Sequence, residues 1–327
     1  MSRRIPLWAT LIPLVLGVLL WAWLWRGYEA RLESDLAKIL PPGTAIEATG
    51  FPYRLEARIA PARAGIEDVA LSASVSAAEA AVNRVPWQRD RQVIAARNSD
   101  AAVALKSLPG ANIRVTAPMA QASLRLDDGR IARLSIVWDQ PDLSTGLVAV
   151  PVRAGRLEAH LRETPAPAGD QPAGPAGGPT GPTQAQLVLG SPDIRFGEGA
   201  PLVFSLDSEL TAAAPLTSFA GWAGGGTYEI RSATLADKTG EVARLSATLV
   251  RDAQGRLAIA GTIDTVCPAS VRAAIAGEAA PVEQRTRKPE RIAISGSLPG
   301  EVTATARDAG KPPPPVRGQE PPCPRLR

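Results

Sequence analysis

Ala122 to Trp138 reads ASLRLDDGRIARLSIVW, and this stretch decides the fold. Before the turn, Ala122, Leu124 and Leu126 alternate with Ser123 and Arg125. After it, Leu134, Ile136 and Trp138 follow at the same period of two. That period places successive side chains on opposite faces of a strand. Asp127-Asp128-Gly129-Arg130 joins the two runs as a hairpin turn, since glycine accepts positive φ and Asp suits turns. The unit is a β-hairpin with an apolar face and a polar face.

The pattern extends outward in both directions. Phe51, Tyr53, Leu55, Ala57 and Ile59 alternate with Pro52, Arg54, Glu56 and Arg58, which reads as a half-buried antiparallel strand. Pro52 lacks a ladder donor, so that strand starts near it or lies at an edge. Val69, Leu71, Ala73 and Val75 repeat the pattern. Further on, Leu202, Phe204 and Leu206 form one strand, and Ala243, Leu245, Ala247 and Leu249 another. Asp252-Ala253-Gln254-Gly255-Arg256 then turns into Leu257, Ile259, Gly261 and Ile263. Ile292, Ile294, Gly296 and Leu298 make the last full strand, with Val302 as its pairing candidate. The two Asp-Gly hairpins resemble one another. Duplication would explain that, but turn chemistry is the simpler explanation. Short helices are expected at Ala77 to Val82 and, after Pro268, at Ala269 to Ala276.

At the N-terminus the period disappears. Ile5 to Trp25 is 21 residues without a charge, which at about 1.5 Å per residue spans roughly 31 Å, a bilayer core. Trp8 near its start and Trp21, Trp23 and Trp25 near its end suit the two interfaces. Arg3 and Arg4 precede it and Arg26 follows, so the positive-inside bias puts Met1 in the cytoplasm. A cleavable signal peptide needs a shorter apolar core and a small-residue cleavage site. This run is long and ends in Trp-Leu-Trp, so the reading is an uncleaved anchor. Tyr28 to Leu40 continues as a helical stalk with Leu32, Leu36, Ile39 and Leu40 on one face, stopped by Pro41-Pro42-Gly43.

These segments divide the 327 residues as follows. Residues 1–25 are the anchor, 26–43 the stalk and 44–163 a first β-rich half. Residues 164–184 are a disordered Pro/Gly linker or insertion, because they hold little to bury. A second β-rich half at 185–306 and a disordered Pro-rich tail at 307–327 complete the chain. The expected fold is mainly β: amphipathic antiparallel strands in a curved or gutter-like sheet, or a sandwich.

Composition narrows the function. The net charge of +4 is small, and Lys and Arg are scattered among Asp and Glu with no run of like charge beyond short pairs. A nucleic-acid surface would show a basic stripe with aromatics, so no nucleic-acid partner is expected. Cys267 and Cys323 have no CxxC spacing and no nearby His, which argues against zinc. An oxidising compartment would allow them to pair, though sequence does not fix the geometry. His160, the sole histidine, lies in the strand-like Arg156 to Arg162, and no Gly-x-Ser-x-Gly elbow accompanies it. Gly221 to Gly226 is glycine-rich without the Lys-Ser or Lys-Thr of a phosphate loop. Glu67-Asp68 and Asp127-Asp128 sit at turns. The expectation is therefore a non-enzymatic protein without catalytic residues, metal or cofactor.

One cluster stands out: Gly50-Phe51-Pro52-Tyr53-Arg54, shortly after the stalk. With the single anchor, it resembles the signature of the domain-of-unknown-function 2125 family of alphaproteobacterial membrane-anchored proteins. Val85-Pro86-Trp87 leading to Val93-Ile94-Ala95 is similar to that family too. The family carries no assigned activity, so the resemblance implies location and marks these five residues as a structural or binding motif. A looser similarity links Gly255 to Gly261 and the anchor-plus-strands plan to AsmA-like envelope proteins, which implies a gutter-like sheet connected with lipid movement. The expected place is the bacterial inner membrane, single-pass, with the body in the periplasm. Membrane lipids and other envelope proteins are the expected partners. A scaffold or assembly factor that binds a protein partner is the alternative role.

Overall fold

The computed structural model describes residues 7–68, 71–106, 112–127, 130–145, 148–163, 183–211, 226–251, 256–276, 278–298, 302–307 and 322–324. Most of the 164–184 linker, the tail apart from 307 and 322–324, Gly221 to Gly225 and the tips of both Asp-Gly hairpins lie outside the described residues.

Helix α1 (Leu7–Ala37) runs without a break through the expected anchor and stalk. It is long and apolar enough to cross a membrane. Its side chains from Leu11 to Leu20 are exposed. From Trp21 onward it packs on the body: Trp25, Leu32 and Leu36 are buried against Leu55, Ala57, Ile59 and Val82. Truncating a fully buried residue such as Leu32 to Ala costs about 2–5 kcal/mol. The stalk is therefore docked rather than free-standing. Ile39 departs from its expected face; it follows the helix end and is 68 % exposed.

The strands follow in chain order. They are β1 (Ile46–Thr49), β2 (Leu55–Ile59), β3 (Ala62–Glu67), β4 (Leu71–Ala77), β5 (Glu79–Val85) and β6 (Gln88–Leu105). Next come β7 (Asn112–Asp127), β8 (Arg130–Asp139), β9 (Asp142–Thr145), β10 (Val148–Arg153), β11 (Arg156–Glu163) and β12 (Thr183–Phe196). The last are β13 (Leu202–Thr211), β14 (Thr227–Asp237), β15 (Gly240–Arg251), β16 (Leu257–Thr265), β17 (Glu290–Leu298) and β18 (Val302–Arg307). A second helix, α2 (Pro268–Ala276), stands where one was expected. Both β halves join in one 18-stranded sheet. Its described pairings are antiparallel, as the alternating sequence requires.

Long strands β6, β7 and β12 each pair with two shorter strands in succession. Thus β7 pairs β8 through Met119 to Asp127 and β9 through Ile113 to Thr116. Partners change along one line across the sheet, marked by Ala60-Pro61, Ala78, Asn98, Pro118, Gln140-Pro141 and Gly155. Asn98 and Gln140 there have φ of 48°, a conformation that interrupts a regular strand. The line closes a small barrel-like circuit through β7, β8, β11, β12, β10 and β9.

Register decides the faces. Ala57, Val82, Ile94, Ala122 and Ile136 are successive cross-strand partners. The row continues through Ala159, Leu189, Leu206 and Ala233. It ends with Leu245, Ile263, Ile292 and Ala306. At about 4.8 Å per strand, the twelve steps from β2 to β18 cover roughly 58 Å. The neighbouring residues of the opposite face are mostly polar: Glu56, Asn83, Ser123, Ser135, His160 and Asp207. At one end, α1 covers the apolar face. At the other, α2 covers it through Val271 and Ile275 over Ile292, Ile294 and Ile263. Between the helices, Leu124, Leu134, Ile136, Leu187, Leu189 and Leu206 are only half-buried.

Two local readings are corrected. Ala77 to Val82 is not a helix: it ends β4 and enters β5, where Ala80 pairs with Ile59 and Val82 with Ala57. Alanine favours helix only weakly, and two flanking strands outweigh it. Phe51 and Tyr53 do not belong to a strand either, because β2 begins at Leu55 and the residues before it form a turn. The two cysteines form a disulfide, Cys267–Cys323, which ties the tail to the body.

Candidate functional site

The family-like motif is a tight turn between β1 and β2. Gly50 has φ of 101°, and the Tyr53 and Arg54 amides donate to its carbonyl at 3.2 and 2.9 Å. A Cβ at position 50 would collide with the Arg54 carbonyl oxygen, so only glycine closes this turn. Phe51 packs edge-on against Trp25 of α1, with ring centroids 5.9 Å apart. Pro52 forms a cis peptide with Phe51. Tyr53 is left 90 % exposed. Arg54 donates from Nε to Asn83 at 2.6 Å and faces Glu56 at 3.3 Å.

This turn orients the sheet on the helix. Phe51, just before β2, sits at the level of Trp25. Ile46, at the other end of β2 opposite Ile59, adjoins the end of α1 near Leu40. Strand β2 thus runs alongside α1 in the same direction. Its start lies at the end of the sheet from which Leu11 to Leu20 project.

A pocket of about 640 Å³ opens at that end. Tyr53 and Trp87, the latter 72 % exposed, stand in its wall with five arginines: Arg54, Arg84, Arg91, Arg125 and Arg133. Among the described residues, its lining includes no Asp or Glu. Arg84 is 7 % exposed and reaches Asp35 of α1 at 2.9 Å, while its Nε is buried without a hydrogen-bond partner. Arg91, Arg125 and Arg133 are direct cross-strand partners, and Arg133 pairs in turn with Arg162. Four guanidinium groups therefore cross β6, β7, β8 and β11 in one row. All four residues are exposed. Arg91 has Asp90 at 3.7 Å. Arg125, Arg133 and Arg162 have no ion pair or hydrogen bond among the described residues.

The other sequence candidates are placed elsewhere. His160 bonds Ser135 across the polar face at 3.0 Å and has Glu158 at 3.5 Å. Glu158 is itself held by Arg156 at 2.7 Å, so the group reads as a surface ladder of pairs. Cys267, Glu283 and Cys323 lie close enough to share an ion. Both sulfurs are spent in the disulfide, however. Glu283 accepts from the Ala269 and Ser270 amides at 3.0 and 2.9 Å, capping α2.

Sequence reading singled out Tyr53 and Arg54 but missed the arginine row. The Arg125–Arg133 pairing was hidden too, because the turn pairs Asp127 with Arg130 and Leu126 with Ile131, and a register shift beyond them sets Arg125 opposite Arg133 rather than Ala132. Arg91 and Arg162 carry no signal until strand order is known.

The fold and the site define a class: one N-terminal apolar helix docked on a single antiparallel sheet with an aliphatic face and a polar face. Residues 43–313 match the family described as "Uncharacterized protein conserved in bacteria (DUF2125)", and the chain belongs to that family. No curated protein and no solved structure matches the chain.

Proposed function

We propose that this is a non-enzymatic, single-pass protein of the bacterial inner membrane that handles lipid from the periplasmic side as part of envelope maintenance. The single observation that carries the reading is the unbroken aliphatic row from Ala57 to Ala306. A closed core needs its apolar face covered throughout. Here helices cover the two ends, and between them Ala159 is buried while Leu124, Leu134, Ile136, Leu187, Leu189 and Leu206 are half-buried. An acyl chain laid across that stretch removes apolar surface from water at about 25 cal/mol per Å². Helix α1 supplies the attachment, with Trp21 and Trp25 at the level where membrane gives way to body.

Site-specific photo-crosslinking in intact cells tests it. A photoreactive residue at Leu189 or Leu206 is expected to yield lipid adducts, and one at Ser135 or Asp207 on the polar face to yield none. Equal labelling of both faces, or adducts with protein alone at Leu189, would replace the lipid role with that of a scaffold.

A further inference from the structure

We infer that the arginine row at the helix-entry end of the sheet binds headgroup phosphates of anionic phospholipid in the leaflet from which α1 emerges. This rests on the reading that α1 spans a bilayer, and it adds a chemical preference that the aliphatic row does not contain.

Like charges directly opposite one another across an antiparallel pair are destabilising. Arg91, Arg125, Arg133 and Arg162 repeat that arrangement over three successive pairings. Among the described residues, no carboxylate lines the adjoining pocket and three of the four side chains lack a partner. The row is thus complementary to an anion. Guanidinium groups bind phosphate with paired, charge-assisted hydrogen bonds, which favours arginine over lysine here.

Position selects the source of the phosphate. The row lies at the end of the sheet from which the exposed part of α1 projects. Exposed Tyr53 and Trp87 flank the pocket, and Trp23 of α1 is 70 % exposed. Amphipathic rings at headgroup depth beside a cationic cluster match a membrane interface. A soluble phosphate needs no such aromatics. The Gly50 turn holds Tyr53 and Arg54 in this setting, which gives the family-like motif a task.

The full chain, purified in neutral detergent, is titrated with short-chain phosphatidylglycerol and phosphatidylcholine and read by native mass spectrometry. Phosphatidylglycerol is expected to bind at least about tenfold more tightly, a preference that declines as salt rises. Arg125→Gln with Arg133→Gln is expected to abolish the preference, while Arg125→Lys with Arg133→Lys retains part of it. Arg244→Gln, remote from the pocket, serves as control and leaves it intact. Equal binding of the two lipids, or an undiminished preference in the Gln double variant, overturns the proposal. So does inorganic phosphate that competes as strongly as the lipid, since the site would then serve a free anion. A thermal melt of the double variant confirms folding. Should the variant not fold, the salt dependence and phosphate competition of the unaltered chain decide the matter. Loss of headgroup preference with lipid still crosslinked at Leu189 sinks this inference alone. Headgroup preference without crosslinks at Leu189 sinks only the lipid-handling reading.

Discussion

Two rows of charge on the same sheet are built in opposite ways. In the C-terminal half, Arg244, Asp264 and Arg291 are successive cross-strand partners, so positive, negative and positive alternate. Arg291 binds Asp264 through two contacts of 2.7 and 3.1 Å, and Arg244 is further held by Glu241 at 3.0 Å. Those acids raise the pKa of both guanidinium groups. In the N-terminal half, Arg91, Arg125, Arg133 and Arg162 stand opposite one another without an intervening acid. Strand geometry is the same in the two rows. The first satisfies itself, as a solvated surface does. In the second, three of the four arginines have no partner among the described residues, and the row stands at the end of the sheet from which the exposed part of α1 projects.

That contrast can be broken from either side. The largest effect is expected from Asp264→Arg, which converts the alternating row into a like-charged one. The melting temperature of the full chain should fall by about 2–4 °C at low salt and recover in part as salt rises. A variant as stable as the parent at low salt would show that cross-strand charge order does not matter on this sheet. The reverse change, Arg125→Glu, gives the N-terminal row an alternating pattern. It should raise the low-salt melting temperature by about 1–2 °C while removing the preference for phosphatidylglycerol. Such opposed changes mark a group kept for binding at the expense of stability.

The smallest effect concerns acid. Burial pushes the Asp237 carboxyl up, but hydrogen bonds from Thr239 and Arg285 outweigh it and hold the group below its usual range. Its folded pKa is depressed, so the unfolded chain binds the proton more readily. The stabilisation is therefore full above the ordinary carboxylate pKa of about 3.9 and is lost as pH falls through the lower folded value. Melting curves against pH should show Asp237→Asn below the parent at neutral pH, with the gap closing in acid. A gap that stays constant with pH would mean that the carboxylate charge is not what stabilises the turn.

Legibility of the sequence followed the range of the interactions. The hairpin at Asp127 to Arg130 was legible because its partners are neighbours in the chain. So was α2, which follows Pro268 directly. Ala77 to Val82 misled because its small residues suit a helix, while the strands that claim them, β2 and β6, are set by register. Phe51 and Tyr53 kept the period of a strand, yet Gly50 and the contact of Phe51 with Trp25 bend them into a turn. The motif was found as a pattern of residues, and its surroundings were not.

By itself, the sequence determined the apolar helix, the one-sided strands and the aliphatic character of the face they share. These depend on period and length alone, which local order in the chain encodes. Tertiary structure decided that both β halves form one sheet, that α1 docks on it rather than standing as a stalk, and that the cysteines pair. It also decided the arginine row. Arg91 and Arg162 are 71 positions apart in the chain, among scattered charges that looked like an ordinary solvated surface. Only the antiparallel register, which sets partners by strand order rather than by sequence distance, places them in one line.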